Sequence, residues 1–292
     1  MKSLLKPLSL LLALGLPLSA QAHKSWFLPS STVLSEVGHY VTVDAAVSND
    51  LFYFDHNPVR LDSLAIIAPD GSRLTPENVA TGHYRSTFDV PLPQVGTYKI
   101  VNASSGMFAS WKDDSGQTKR WRGSAEAFKK EVPAKARDLQ VTLADNRLET
   151  FVTVGKPSSE VLAPTGSGLE LVPVTHPNDL VAGETASFKL LLDGQPAAGL
   201  KVSVVPGGTR YRDQQDEITA TTGADGAFAI TWPQAGMYWL NAAIGGGRMG
   251  GPGGEAGEDA PPAAKAPKAK KNDGEAPVPR RASYTATLEV LP

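Results

Sequence analysis

"HYVTVDAAVS", residues His39 to Ser48, decides the fold class. Val41, Val43, Ala45 and Val47 alternate with Thr42, Asp44, Ala46 and Ser48. Period-2 alternation puts one set of side chains on each face of a half-buried strand, and no helical period fits it. The same grammar runs outward from this stretch. "RLDSLAIIAPDGSRL" reads as two short strands around a Pro-Asp-Gly turn, and "HYRSTFDVPLPQVGTYKIVNAS" as strand, turn and strand. "FASWKDDSGQTKRWRG" reads as a hairpin with a solvated Asp-Asp-Ser-Gly turn, and "RDLQVTLADNRLETFVTVG" as a hairpin across Ala144-Asp145-Asn146. One short helix is expected over Ser124 to Lys130, with Ser124 as its N-cap.

Residues 156–168, "KPSSEVLAPTGSG", are rich in Pro, Ser and Gly and read as a linker. The strand grammar then restarts in "LELVPV", "ETASFKLLLDGQP", "GLKVSVVPGG" and "TATTGADGAFAITWPQAGMYWLNAAIG". Turn signals recur about every ten residues, the spacing of a sandwich of antiparallel strands. The expected architecture is all-β: two tandem antiparallel β-sandwich domains of Ig-like type, spanning 23–155 and 169–292. Residues 245–282 are Gly, Pro, Ala and Lys with almost no apolar bulk. They bury too little surface to offset chain entropy, so a disordered loop is expected inside the second domain, before a last strand in "SYTATLEVLP".

The first 22 residues have the order of a secretory signal: Lys2 and Lys6, an apolar run from Leu8 to Leu18, then Ala20-Gln21-Ala22. The apolar run is too short to span a bilayer. A periplasmic or secreted chain beginning at His23 is expected, and no later segment has the length and hydropathy of a membrane span. With Lys2 and Lys6 removed from the 28 basic residues, set against 30 acidic ones, the net charge falls near −4. That balance points away from a nucleic-acid partner. The chain has no cysteine, which excludes thiolate metal sites and thiol redox catalysis. No serine-nucleophile motif, phosphate loop or HExxH stands in the sequence.

"AHKSWFLP" at the expected mature start, "GLELVPVTHPNDLVAGE", "LLDGQPAAGLKVSVVPGG" and "TTGADGAFAITWPQAGMYWLNA" together resemble the DUF4198 family. Those exported proteins are related to periplasmic metal-binding components of nickel and cobalt uptake systems. The resemblance implies a metal-binding protein near an envelope transporter, with a histidine at the mature N-terminus. Many members carry Gly-His-Gly-Phe-Glu after the strand that matches Tyr40 to Ser48. Here the place reads Ser48-Asn49-Asp50-Leu51-Phe52, without histidine, and the nearest downstream imidazole is His56. The second domain also resembles transthyretin-like and carboxypeptidase-regulatory sandwiches, which speaks to fold and not to chemistry.

As residue one, His23 would offer an α-amine with an ordinary pKa near 8 and an imidazole near 6.5. Both give up protons to a metal near neutral pH, and the amine with Nδ1 closes a chelate ring on one ion. Such donors suit Cu(II) and Ni(II). The expected ligands of a divalent ion of the Ni, Co or Cu class are His23, His56 and a carboxylate, Asp55 beside His56 or Asp44 on the strand after the N-terminus. His39, His83 and His176 read as strand-edge or turn residues. Trp111, Trp121, Lys119, Arg120 and Arg122 suggest an aromatic-basic surface. The leading expectation is a metal-capture protein that hands its ion to an envelope uptake or handling system, and not an enzyme. Two others stand beside it: a metal-free envelope scaffold or adhesion protein, and a copper histidine-brace oxidative enzyme whose second histidine is His39, His56 or His83.

Overall fold

The computed structural model describes residues 23–245 and 278–292. The expected signal segment 1–22 lies outside the described residues, as does most of the expected disordered insert. The first half contains β1 (Lys24–Pro29), β2 (Val33–Leu34), β3 (His39–Ser48), β4 (Asn57–Pro58), β5 (Leu64–Ile67), β6 (Arg73–Leu74), β7 (Glu77–Thr81), β8 (Ser86–Leu92), β9 (Gly96–Lys112), β10 (Thr118–Gly123), helix α1 (Ala125–Glu131) and β11 (Arg137–Val154). The second half contains β12 (Leu169–Pro173), β13 (Thr185–Leu192), β14 (Gln195–Pro196), β15 (Lys201–Pro206), β16 (Ile218–Thr221), β17 (Ala227–Thr231), β18 (Gly236–Ile244) and β19 (Arg280–Val290). Ser124 caps α1 as expected, accepting a hydrogen bond from the Ala127 amide.

The all-β expectation holds, and the joint between the halves is its main novelty. One sheet of ten strands runs through the molecule in the order β16-β15-β18-β19-β11-β9-β5-β6, with β10 added to β9 and β2 to β11. A cover sheet β1-β3-β8-β7, with β4 on β3, packs on the first-half end. A second cover sheet β12-β13-β14, with β17 on β13, packs on the other end. The seam is β19, antiparallel to β18 and parallel to β11 from Leu143↔Arg280 to Thr150↔Thr287. Two sandwiches therefore share one continuous sheet.

The alternation of "HYVTVDAAVS" sets the first core. Val41, Val43 and Ala45 are fully buried against Ile66, Tyr98, Ile100, Val152 and Val154 of the shared sheet. Ala46, on the other face, is fully buried too. It packs with Trp26, Leu51, Val205 and Trp239 in a small cluster that joins the halves. A residue on the nominally polar face must be small and apolar there, because the second half covers it.

The expected hairpin across Ala144-Asp145-Asn146 is absent. These residues lie mid-strand in β11, paired with Gly106, Ser105 and Ser104 of β9. Their turn-forming side chains are occupied by β19: Asp145 accepts from Arg280 Nε at 2.7 Å and Asn146 Oδ1 from Ser283 Oγ at 2.8 Å. The ordered strand also reaches further into the insert than expected, because Arg280 to Ala282 pair with Leu143 to Asp145.

Residues 156–168 are pinned to the body. Val161 is buried, and Thr165, Gly166 and Ser167 donate backbone amides to the Glu170 carboxylate at 2.9, 2.7 and 3.2 Å. Burial pushes the Glu170 carboxyl upward, but these bonds and Arg147 outweigh it and hold it below the ordinary range. Arg147 bridges Glu149 at 3.0 Å and Glu170 at 3.3 Å, and Tyr284 donates to Glu149 at 2.8 Å. The network draws on β11, β12 and β19, so it ties the halves with charge as the seam ties them with backbone.

Candidate metal site at the start of β1

The register of the cover sheet decides what surrounds His23. β1 and β3 pair from Lys24↔Ser48 to Pro29↔Val43, so His23 sits at the end of the sheet where β3 stops. The chain leaves β3 through the loop Asn49–His56 and returns as β4, with Asn57 opposite Val47. β1 and β4 thus flank the end of β3 on its two sides. His23 and His56, the residues just before them, meet there. Their rings stack at 3.6 Å between centroids with 4° between planes.

The loop is closed by its own polar groups. Asp55 Oδ1 accepts from the Asn49 amide at 3.0 Å, and Tyr53 donates its amide to the Asp50 carbonyl at 3.3 Å. Ser48 Oγ accepts from Trp26 Nε1 at 2.7 Å and donates to the Asp50 carbonyl at 2.5 Å. In the Asp50–Tyr53 turn the third position is Phe52, with φ at +61°. Turns with positive φ there favour Gly or Asn, so a phenylalanine is strained. Its ring meets Trp26 edge-on at 5.5 Å, and Trp26 also meets Phe54 at 5.5 Å.

The second half supplies the other wall. Thr209 Oγ1 accepts from the Leu51 amide at 2.9 Å in a buried contact, and the Arg210 guanidinium lies 3.8 Å from the Tyr53 ring centroid. Trp239 Nε1 donates to the Ser25 carbonyl at 2.9 Å, and the Lys24 ammonium lies 5.9 Å from the Trp239 ring.

Burial lowers the pKa of His23, the nearby His56 lowers it further, and Asp55 partly offsets them. A histidine held neutral near pH 7 is a ready nitrogen donor. The ring centroids are as close as two nitrogens bound about 2 Å from one ion would be, but the in-plane lone pairs of parallel rings do not converge, so sharing an ion requires one ring to rotate out of the stack. Among the described residues no group of three or more His, Asp or Glu side chains could hold a metal. The side chains alone offer two imidazoles, and a third donor has to come from backbone or solvent.

Of the expected carboxylates, Asp55 is at the site and Asp44 is not. Asp44 lies opposite Leu28, four register positions from the Lys24↔Ser48 pair, or roughly 13 Å at strand rise. Its carboxylate is 3.4 Å from Arg85, whose guanidinium sits 4.4 Å from the Phe54 ring. Burial raises the Asp44 pKa and Arg85 opposes that rise. His39 is exposed at the start of β3, opposite Leu92, and His83 is exposed within the turn from Gly82 to Arg85. His176 lies against the start of β9 and the 156–168 segment, 2.9 Å from Thr97 Oγ1 and 3.2 Å from the Ser158 carbonyl. Pairing also divides the expected aromatic-basic surface: Lys119 opposite Trp111 and Trp121 opposite Ala109 share one face, while Arg120 and Arg122 take the other. Trp121 is engaged by Phe128 and Glu131, and Lys119 by Asp113.

Sequence reasoning found both histidines but missed Gly207, Thr209, Arg210 and Trp239. They lie more than 150 residues from the elements they hold, and no local pattern marks them.

A family model described as a domain of unknown function, DUF4198, matches residues 20–246. No match is found among curated proteins. Among solved structures, the D0-D1 domain of intimin is 9% identical over 91% of this chain and 97% of its own, at a TM-score of 0.21. A marsupial T cell receptor is 11% identical over 78% and 69%, at 0.18. The group B streptococcus pilus 2b backbone protein is 12% identical over 73% and 82%, at 0.12. TM-scores this low carry no argument about topology or function. No helix among the described residues is long and apolar enough to cross a membrane.

Proposed function

The chain belongs to the DUF4198 family, and we propose that this member is an exported metal-binding protein that captures a divalent transition ion of the Ni, Co or Cu class at His23 and His56. The stacked His23–His56 pair carries the reading, since it brings together two imidazoles 33 positions apart, one already biased toward its neutral form. Cleavage after Ala22 would free the His23 amine. That amine is the third nitrogen, and it closes a chelate ring with Nδ1 of the same residue. An all-nitrogen set favours Cu(II) and Ni(II) over harder ions. Asp55, tied to the Asn49 amide, sits beside the pair as a negative charge and braces the loop instead of ligating. Captured ion would pass to an envelope uptake or handling system, with no chemistry performed on it.

The test is titration of Cu(II) and Ni(II) into protein that begins at His23, into the same protein with one added N-terminal residue, and into His56→Ala. Tight binding by the first and weak binding by the other two is the expected result. Equal affinity in the extended protein refutes the amine ligand, and equal affinity in His56→Ala refutes the two-histidine site. Oxidation of a polysaccharide by the copper-loaded protein would replace metal capture with catalysis.

A further inference from the structure

The His56 loop has a strained residue at its turn, and the other sandwich adds support to the loop's own hydrogen bonds. Phe52 holds φ at +61°, a conformation that persists in a bulky residue only where the surroundings fix it. Those surroundings are the segment after β15. Gly207 faces the Phe52 ring so closely that an added Cβ would lie 2.9 Å from Phe52 Cδ2. Thr209 takes the Leu51 amide, and Arg210 stacks on Tyr53 at 3.8 Å. The segment is itself fixed: Arg212 donates to the Gly207 and Pro206 carbonyls at 2.7 and 3.0 Å, and the Gly207 amide donates to the Met237 carbonyl at 2.7 Å. Leu51, Phe52 and Tyr53 are thus gripped in turn by three nearby positions of one rigid segment.

We propose that Gly207–Arg212 is a latch by which the second sandwich sets His56 against His23, making Thr209 and Arg210 positioning residues for the metal site. The assignment rests on the metal-capture reading above, and it adds the reason a second sandwich is present. Trp239, which donates to Ser25 beside His23, places the other half of the pair from the same sandwich. Both histidines are then referenced to one body, so only the short stretch from Phe54 to His56, braced by Asp55 on the Asn49 amide, is left to the loop itself.

Thr209→Val keeps the shape of the side chain and removes the acceptor, leaving the buried Leu51 amide without its partner. Thr209→Ser keeps the hydroxyl. Each is made in protein beginning at His23 and read two ways. Hydrogen exchange of the Leu51 to His56 amides reports the latch without metal. Cu(II) titration with the nitrogen hyperfine pattern in electron paramagnetic resonance reports the site. The expected result is faster exchange, affinity weaker by about tenfold (one hydrogen bond to a buried amide) and a weakened second-imidazole signal in Thr209→Val, with all three restored in Thr209→Ser. Unchanged exchange in Thr209→Val overturns the latch, whatever copper does. Faster exchange with unchanged copper affinity and spectrum overturns its positioning role. Absence of copper binding in the parent protein overturns the metal reading instead, and the exchange result still decides whether the segment holds the loop.

Discussion

Replacing Arg147 by methionine should be among the most damaging single changes outside the apolar core. The Arg147 side chain is 11% exposed, and the side chains of Glu149 and Glu170 are each 4% exposed. One guanidinium serves both carboxylates. Methionine keeps most of the volume but leaves two buried anions facing each other without a cation. Removing one member of a buried ion pair typically costs about 3–5 kcal/mol. Against a total stability of about 5–15 kcal/mol, that is a large share, equivalent to a fall in Tm on the order of 10 °C for a chain this size. The sign of the pH dependence follows from the charges. In the parent protein Glu170 has a lowered folded-state pKa. Its contribution is present above the unfolded value near 4.3 and is lost as pH falls through the folded one. In Arg147→Met the Glu170 carboxylate loses its buried cation, so its folded-state pKa rises from that of the parent protein. The penalty is then greatest at pH 8 and shrinks toward pH 5. Urea unfolding of both proteins at the two pH values measures this. A loss below about 1 kcal/mol at pH 8, or the same loss at both pH values, would refute the argument. Changing Glu149 and Glu170 to Gln in the same chain should recover most of the loss, since no buried charge then remains.

The seam makes one further outcome testable. Because β11 and β19 pair through the middle of one sheet, the two sandwiches should unfold in a single transition by both tryptophan fluorescence and far-ultraviolet circular dichroism. Two resolved transitions would show that the halves are independent. Burial lowers the pKa of His176, more than the Ser158 carbonyl and Asp179 restore it. Its imidazole should therefore titrate below the ordinary 6.5 by nuclear magnetic resonance, and stability should decline as pH drops below that value, because the unfolded chain takes up the proton more readily. His176→Gln should flatten the decline, and a midpoint at or above 6.5 contradicts the burial.

Local pattern carried the strands whose partners are near in sequence. Val41, Val43 and Ala45 announced their inward face, and the Pro69-Asp70-Gly71 turn formed where expected, with Gly71 at positive φ. Pattern failed where the partner comes from far away. Asp145 and Asn146 look like turn residues, and only β19, some 135 residues on, shows why they are not. The proximity of His56 to His23 was legible only through the family resemblance, because the place of the family's histidine is Asn49 here and His56 is the nearest imidazole downstream. The choice of carboxylate was not, since it depends on strand register: Asp44 is carried four positions up β3 and engaged by Arg85. Thr209 was invisible for a simpler reason. A threonine after Gly-Gly is ordinary loop sequence, and its value lies wholly in the amide it meets.

The placement of β19 has a consequence for how the chain is made. In a chain delivered from its N-terminus, β11 is available long before residue 280, yet its partner on one side is the strand that ends at Val290. Until then β11 presents an open edge of unpaired amides and carbonyls, the kind of surface that captures other strands. Closure of the large sheet waits for residues well over a hundred positions further along the chain, which favours slow maturation and a need for chaperone cover in the interval.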